Sequence, residues 1–177
     1  MTPPDPDVYR APMRSRDDSV PDGIAVERAL RIGVCGVGGR LSQVPASLVD
    51  AAAAVATEHD ERVARRLERF ADAPDGSYIW TRDVDGLAWL GRLAGPWRYD
   101  DSREARDVDL VHVRPCEWVA RPVPEASVPP AVQLTFRRGG RNWQQTHDPH
   151  VSAQTAALWR EMTKGPDAAA SDPSHLA

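Results

Sequence analysis

Residues 77–93 read SYIWTRDVDGLAWLGRL, and this stretch decides the fold class. Two short runs rich in aromatic and branched residues, Ser77 to Arg82 and Leu87 to Leu93, flank Asp83-Val84-Asp85-Gly86. Apolar runs split by a polar segment that ends in glycine predict a β-hairpin. Further along, Trp97 to Tyr99 opens a third strand after Gly95-Pro96. Asp109 to Val113 alternates and runs into Arg114-Pro115-Cys116-Glu117-Trp118-Val119, another strand, whose proline belongs at an edge or a bulge. VPEASVPP (123–130) is a rigid connector, and Val132 to Phe136 fits either a strand or a helix. Arg137 to Arg141 is a basic glycine turn, Trp143 to Thr146 a last short strand, and Val151 to Met162 a closing helix.

Upstream of the hairpin the pattern is helical. From Val44 to Phe70, Leu48, Val55, Val63, Leu67 and Phe70 recur at helical spacing, with the charged residues mostly elsewhere on the wheel. Thr57 to Asp60 marks a break between two helices, and Pro74-Asp75-Gly76 is a turn. Gly23 to Leu41 begins as a short helix or strand and passes into glycines at 33, 36, 38 and 39. Residues 1–22 hold five prolines with little apolar periodicity, the composition of a disordered N-terminal arm. Residues 163–177 read as a disordered C-terminal tail, which leaves one domain over 23–162. Helices first, then five or six short strands, then a helix, with no βα alternation, is the order of an α+β protein built on a small curved barrel.

The chain has 177 residues, of which 41% are hydrophobic, enough for one domain with a real core. It is too short for a (β/α)8 barrel. No apolar run is long enough to cross a bilayer, and the first residues carry charge and proline where a secretory signal would be apolar, so the expected location is cytoplasmic. Cys35 and Cys116 have no metal-type spacing and read as reduced packing thiols. Net charge is −4, and Lys164 is the one basic residue that is not arginine. The acidic balance argues against a strongly basic, non-specific nucleic-acid binder. Arginine suits planar, bidentate contacts to phosphate or to a base edge.

Catalytic signatures are sparse. GVCGVGGR (33–40) lacks the GK[ST] ending of a phosphate loop and fails G-x-G-x-x-G, so it reads as a structural turn ahead of a nucleotide cradle. His147-Asp148-Pro149-His150 offers metal-type ligands, but Asp148 as N-cap with Pro149 at N1 of the last helix is the simpler account. Asp107 and Asp109 would need further acids to chelate magnesium. His112 and Cys116, four apart on one strand, lie about 13 Å apart, too far for a nucleophile and its base. No metal, cofactor or catalytic residue is expected. Aromatics interleaved with arginines remain, at Trp80-Thr81-Arg82, Trp97-Arg98-Tyr99, Arg114 ahead of Trp118, and Arg137 to Arg141 ahead of Trp143. Most tryptophans should fill core, yet such sets also stack unpaired bases and hold phosphate.

Taken in order, GSYIWTRDVDGLAWLGRLAGPWRYD, DVDLVHVRPCEWV and VPPAVQLTFRRGGRNWQQTHD resemble the EVE-like members of the PUA-like superfamily found in bacterial genomes. Those proteins carry an early glycine-rich segment, a GD-aromatic-V-W strand, a G-x-x-x-LGR strand and a V-x-x-R-P-V-x-W strand. Here Ser77 stands where an acid is usual and Cys116 where valine is usual. The likeness covers about residues 24–150. It implies a curved β-barrel flanked by helices that binds nucleic acid without catalysis. Some relatives flip a base such as 5-methylcytosine or its hydroxymethyl analogue into an aromatic pocket, and many are fused to restriction nucleases. Carried over, the resemblance implies a base pocket of Trp80, Trp97, Tyr99 and Trp118, with Arg98 and Arg114 as hydrogen-bond donors. Arg137, Arg138 and Arg141 would hold phosphates. The expected partner is DNA with a modified base, ahead of RNA, in anti-phage defence or its regulation, alongside a nuclease encoded on another chain. A module that holds a small molecule or a peptide in the same pocket is the alternative.

Overall fold

The computed structural model describes residues 3–164. The hairpin is present as β3 (Tyr78–Arg82) and β4 (Ala88–Leu93), antiparallel, with Trp80 opposite Leu90. Asp83 organises its turn, its carboxylate accepting from the backbone N–H groups of Asp85 and Leu87 and from the Trp89 indole. Alternation along β3 sends Ile79 to one face and Tyr78 and Trp80 to the other. Two cores follow from it. On the Ile79 side lie α1 (Ile24–Ile32), α2 (Leu48–Glu58) and α3 (Glu61–Asp72). On the Trp80 side, α5 (Pro130–Arg137) and α6 (Val151–Met162) contribute Val132, Ala156 and Trp159.

β6 (His112–Trp118) is the strand that curls the sheet. One edge pairs with β2 (Val34–Val37), and the other pairs first with β5 (Arg98–Tyr99) and then with β4. Pro115 sits where β6 changes neighbour, opposite Gly95, whose missing Cβ would lie 2.8 Å from the proline ring. This explains how a proline with no N–H is tolerated inside the sheet. Among the described residues the strands run in the order β2-β6-β4-β3-β1-β7, with β5 beside β6, where β1 is Val8–Arg10 and β7 is Gln144–Gln145. The α+β class and the curved sheet are as expected. Among the described residues six strands form the path, within the expected number, with the two-residue β5 beside β6; the ladder stays open between β2 and β7, a half-barrel whose interior is filled by the helical side.

Elsewhere the local signals are obeyed. Asp60 breaks the α2–α3 run, its carboxylate accepting from Val63 N–H at 2.9 Å to start a new helix. Val132 to Phe136 is helical, with Pro130 in the first turn. Before α6, Asp148 accepts from His150 N–H at 2.8 Å, and the N-cap is His150, two residues beyond the expected one.

The N-terminal region departs from expectation. Val8–Arg10 form β1, parallel to β3 and antiparallel to β7, and Val8, Tyr9, Arg10, Ala11 and Met13 are buried. A three-residue strand has too few residues to show periodicity, and both its partners lie far along the chain. The expected C-terminal tail falls, beyond Lys164, outside the described residues.

Candidate functional site

At the open end of β2 lies a cavity of about 340 Å³. Its walls come from Val37 to Arg40, His59, three residues of α3 (Val63, Arg66, Leu67), Asp109, and the segment Arg141 to Trp143, with Arg14, Arg16 and Asp17 at the mouth. Its lining joins the Trp143 indole, the Asp109 carboxylate and five arginines.

Asp109 follows the short helix α4 (Arg103–Asp107) in the left-handed region, φ 52, which aspartate tolerates better than most residues. Its Oδ1 accepts from Gly39 N–H at 3.0 Å and its Oδ2 from the Ser15 hydroxyl at 2.5 Å. The two glycines are what let β2 come this close. A Cβ on Gly38 would stand 2.7 Å from Asp109 Oδ2, and Gly39 has φ 120. The glycine run is thus a structural turn, and it shapes the cavity wall.

Behind the glycines sits fully buried His112. The Trp97 indole N–H lies 3.2 Å from its Nδ1 and Gly39 O lies 2.9 Å from its Nε2. An indole only donates and a carbonyl only accepts, so the network assigns the proton to Nε2. Burial pushes the imidazole down to about 4, which leaves it neutral at ordinary pH. Tyr99 packs edge-on against the same ring at 5.3 Å. Its hydroxyl accepts from Leu41 N–H at 3.0 Å, which fixes the chain leaving the glycines.

Another part of the wall, Arg141 to Trp143, is placed by Arg10 on β1. Its guanidinium donates to Thr135 O at 2.6 Å, Gly139 O at 3.0 Å, Asn142 O at 3.3 Å and Gln144 Oε1 at 3.1 Å. These bonds hold the turn with left-handed Gly139 and Gly140, which delivers Arg141 and Trp143 to the cavity. Trp143 stacks on Tyr9 at 4.6 Å and meets Phe70 edge-on at 5.0 Å, so its indole is a rigid wall.

Five arginines ring the mouth. Four are paired, Arg14 to Asp22, Arg16 to Asp60, Arg40 to Asp17 and Arg141 to Asp18. Arg66 makes no ion pair among the described residues, and partial burial together with repulsion from Arg16 lowers its pKa.

The residues singled out from sequence are scattered. Trp97 and Tyr99 support the cavity through His112, and Arg141 lines it. Trp80 is fully buried in the second core, its indole donating to Thr155 Oγ1 at 3.2 Å. Trp118, half-buried, donates to Val34 O at 2.9 Å across the sheet. Arg114 is 2% exposed and spends its donors on Gly95 O, Phe70 O, Ala73 O and Asp75, closing the C-terminal end of α3. Trp80 and Arg114 are held in the core by these bonds, while Trp118 also lines a second cavity with Trp89, Arg31 and Asp83. Arg98, Arg137 and Arg138 are exposed or half-exposed and none lines the cavity. Asp109, Trp143, Arg40 and Arg66 were missed as a set. The signals available were the paired glycines at 38 and 39 and the basic turn ahead of Trp143.

Nothing in the site resembles a nucleophile with its base. Cys116 and Cys35 are buried, which raises both thiols, Cys35 to about 12, and His112 is committed on both nitrogens. Among the described residues, no three His, Cys, Asp or Glu side chains converge as a metal set, His147, Asp148 and His150 included. No helix among them is long and apolar enough to cross a membrane.

No family model and no curated protein matches the chain. Among solved structures, it is similar to the YTH domain of the Zygosaccharomyces rouxii MRB1 protein in complex with N6-methyladenosine RNA. That match has 12% identity and a TM-score of 0.45, and covers 89% of this chain and 86% of that one. It is also similar to the Pho92 YTH domain in complex with m6A, at 11% identity and a TM-score of 0.48, covering 94% of this chain and 90% of that one.

Proposed function

We propose that the chain is a non-enzymatic reader of a modified base in nucleic acid, with the base held in the Trp143 cavity. The observation that carries this reading is the combination of walls. An aromatic face, a carboxylate that accepts hydrogen bonds and a ring of arginines match the three parts of a nucleotide. The cavity volume of about 340 Å³ lies within the range of small-molecule sites, roughly 300–1,000 Å³. Asp109 Oδ2 is positioned to accept from an exocyclic amino group, as acidic side chains do from cytosine N4. Extrusion of a base costs a few kcal/mol, which stacking on one indole, about 1–3 kcal/mol, offsets in part.

Within this reading the proposed ligand is DNA with a modified cytosine, ahead of RNA. The proposed setting is defence in the bacterial cytoplasm, beside a separately encoded nuclease. Arg137 and Arg138, at the C-terminal end of α5 ahead of Arg141, extend the proposed phosphate track. A second reading, a pocket for a free nucleoside or another small planar molecule, is favoured by the pairing of four of the five mouth arginines with acids.

Fluorescence anisotropy at two salt concentrations separates the readings, since phosphate contacts weaken steeply with salt. The probes are short oligonucleotides with cytosine, 5-methylcytosine, 5-hydroxymethylcytosine, adenosine or N6-methyladenosine. Preference for one modified base, lost with salt and lost in Asp109→Asn, supports the reader. Binding of the free nucleoside alone, insensitive to salt, supports the second reading. No binding of any oligonucleotide at low salt overturns the first.

A further inference from the structure

We infer that Arg40 and Arg141 form a phosphate-binding mouth to the Trp143 cavity, and that the segment Ser15 to Asp18 occupies this mouth as an internal stand-in for the ligand. The inference rests on the reading of the cavity as a nucleotide site, and it adds where the phosphates sit and what must leave first.

Three contacts by neighbouring residues carry it. The Ser15 hydroxyl donates to Asp109 Oδ2 at 2.5 Å, the oxygen a base amino group would use. Asp17 Oδ2 lies 3.0 Å from Arg40 NH1, and Asp18 Oδ1 lies 2.8 Å from Arg141 NH1. One short segment therefore presents a hydrogen-bond donor and two anions to the same groups that a base and its flanking phosphates would engage. Carboxylate and phosphate oxygens are interchangeable in what they ask of a guanidinium. Arg40 comes from the glycine run and Arg141 from the basic turn, so the two anions reach two separate parts of the cavity's lining.

The segment is also placed to leave. The chain departs the core at Met13, which is buried at φ 50, an unfavourable conformation for a residue with a side chain. Beyond it there is neither helix nor strand until Ile24. Asp18 is 83% exposed and Asp17 43%, and exposed pairs of this kind hold weakly. Hydrogen bonds from Ser19, with help from Arg40, keep the Asp17 carboxyl down at about 2, so this arm of the stand-in stays anionic at any physiological pH. Arg114 shows the contrast, being buried against fixed carbonyls that nothing could displace.

The test compares wild type, Asp17→Asn/Asp18→Asn, Asp18→Asn alone and Asp18→Asn/Arg141→Gln, each with its melting temperature as a check on folding. Two probes are used, a short single-stranded DNA with one 5-methylcytosine, and inorganic pyrophosphate. Neutralising both acids should tighten both probes about five- to tenfold, and Asp18→Asn about two- to threefold, the scale of exposed ion pairs. Adding Arg141→Gln should erase the gain. Because Arg141 is the one polar partner of the Asp18 side chain among the described residues, its variant keeps the test decisive if the double variant does not fold. DNA binding that is equal or weaker in the neutralised variants overturns the stand-in while leaving the base reading intact. Tighter pyrophosphate with no DNA binding in any variant supports the mouth and sinks the base reading. No binding of either probe overturns both.

Discussion

The two ends of β6 treat the same side-chain chemistry in opposite ways. From the middle of β6 to its Trp118 end, Arg114, Trp118 and, across β4, Trp80 have their polar atoms paired mainly with backbone and side-chain groups of the core. At its His112 end the buried imidazole is just as fully paired, but its role is to hold a glycine turn. The groups that gather around that turn, Asp109, Arg40 and Arg141, are paired with side chains of one N-terminal segment, half-buried Ser15 and exposed Asp17 and Asp18. Residue type does not distinguish a structural arginine from one that can serve a ligand. The replaceability of its partners does, because a ligand must offer more than what it displaces.

Removing Arg114 should break the closed end outright. Arg114→Met leaves the carbonyls of Phe70, Ala73 and Gly95 buried without donors, and should cost about 3–5 kcal/mol in urea unfolding. A loss under about 1 kcal/mol would show that the clamp is dispensable. The imidazole comes next. Burial lowers the His112 pKa from 6.5 to about 4, so between those values the unfolded chain binds the extra proton. Its contribution is therefore complete above about pH 6.5 and is lost as pH falls toward 4, at most about 3 kcal/mol. His112→Gln should flatten that part of the stability profile, and an unchanged profile would contradict the neutral assignment.

At the open end effects on stability shrink and effects on binding grow. Gly38→Ala puts a Cβ 2.7 Å from Asp109 Oδ2, and should cost about 1–3 kcal/mol while closing the cavity to oligonucleotides. Arg141→Gln should change stability by less than about 0.5 kcal/mol and weaken oligonucleotide binding severalfold. The smallest effect is expected for Arg138→Gln, with stability unchanged and binding reduced about twofold. A larger loss there than at Arg141 would move the phosphate track from the cavity mouth to the outer turn.

Local physics made much of the fold legible in the chain. The hairpin at 77–93, the helix break at Asp60 and the closing helix at 151–162 each follow from alternation, capping or periodicity within a dozen residues. β1 was not legible, because its evidence is hydrogen bonding to β3 and β7, strands some 70 and 135 residues away. The site divides the same way. The chain itself announced glycines that admit no side chain at 38 and 39, a basic turn before Trp143, and tryptophans set among arginines. Only the tertiary structure decided which of those aromatics face a cavity, since alternation on β3 turned Trp80 into the α6 core while Arg10 carried Trp143 to the opening. A side chain's availability depends on what fills the space around it, and that is set by residues distant in sequence.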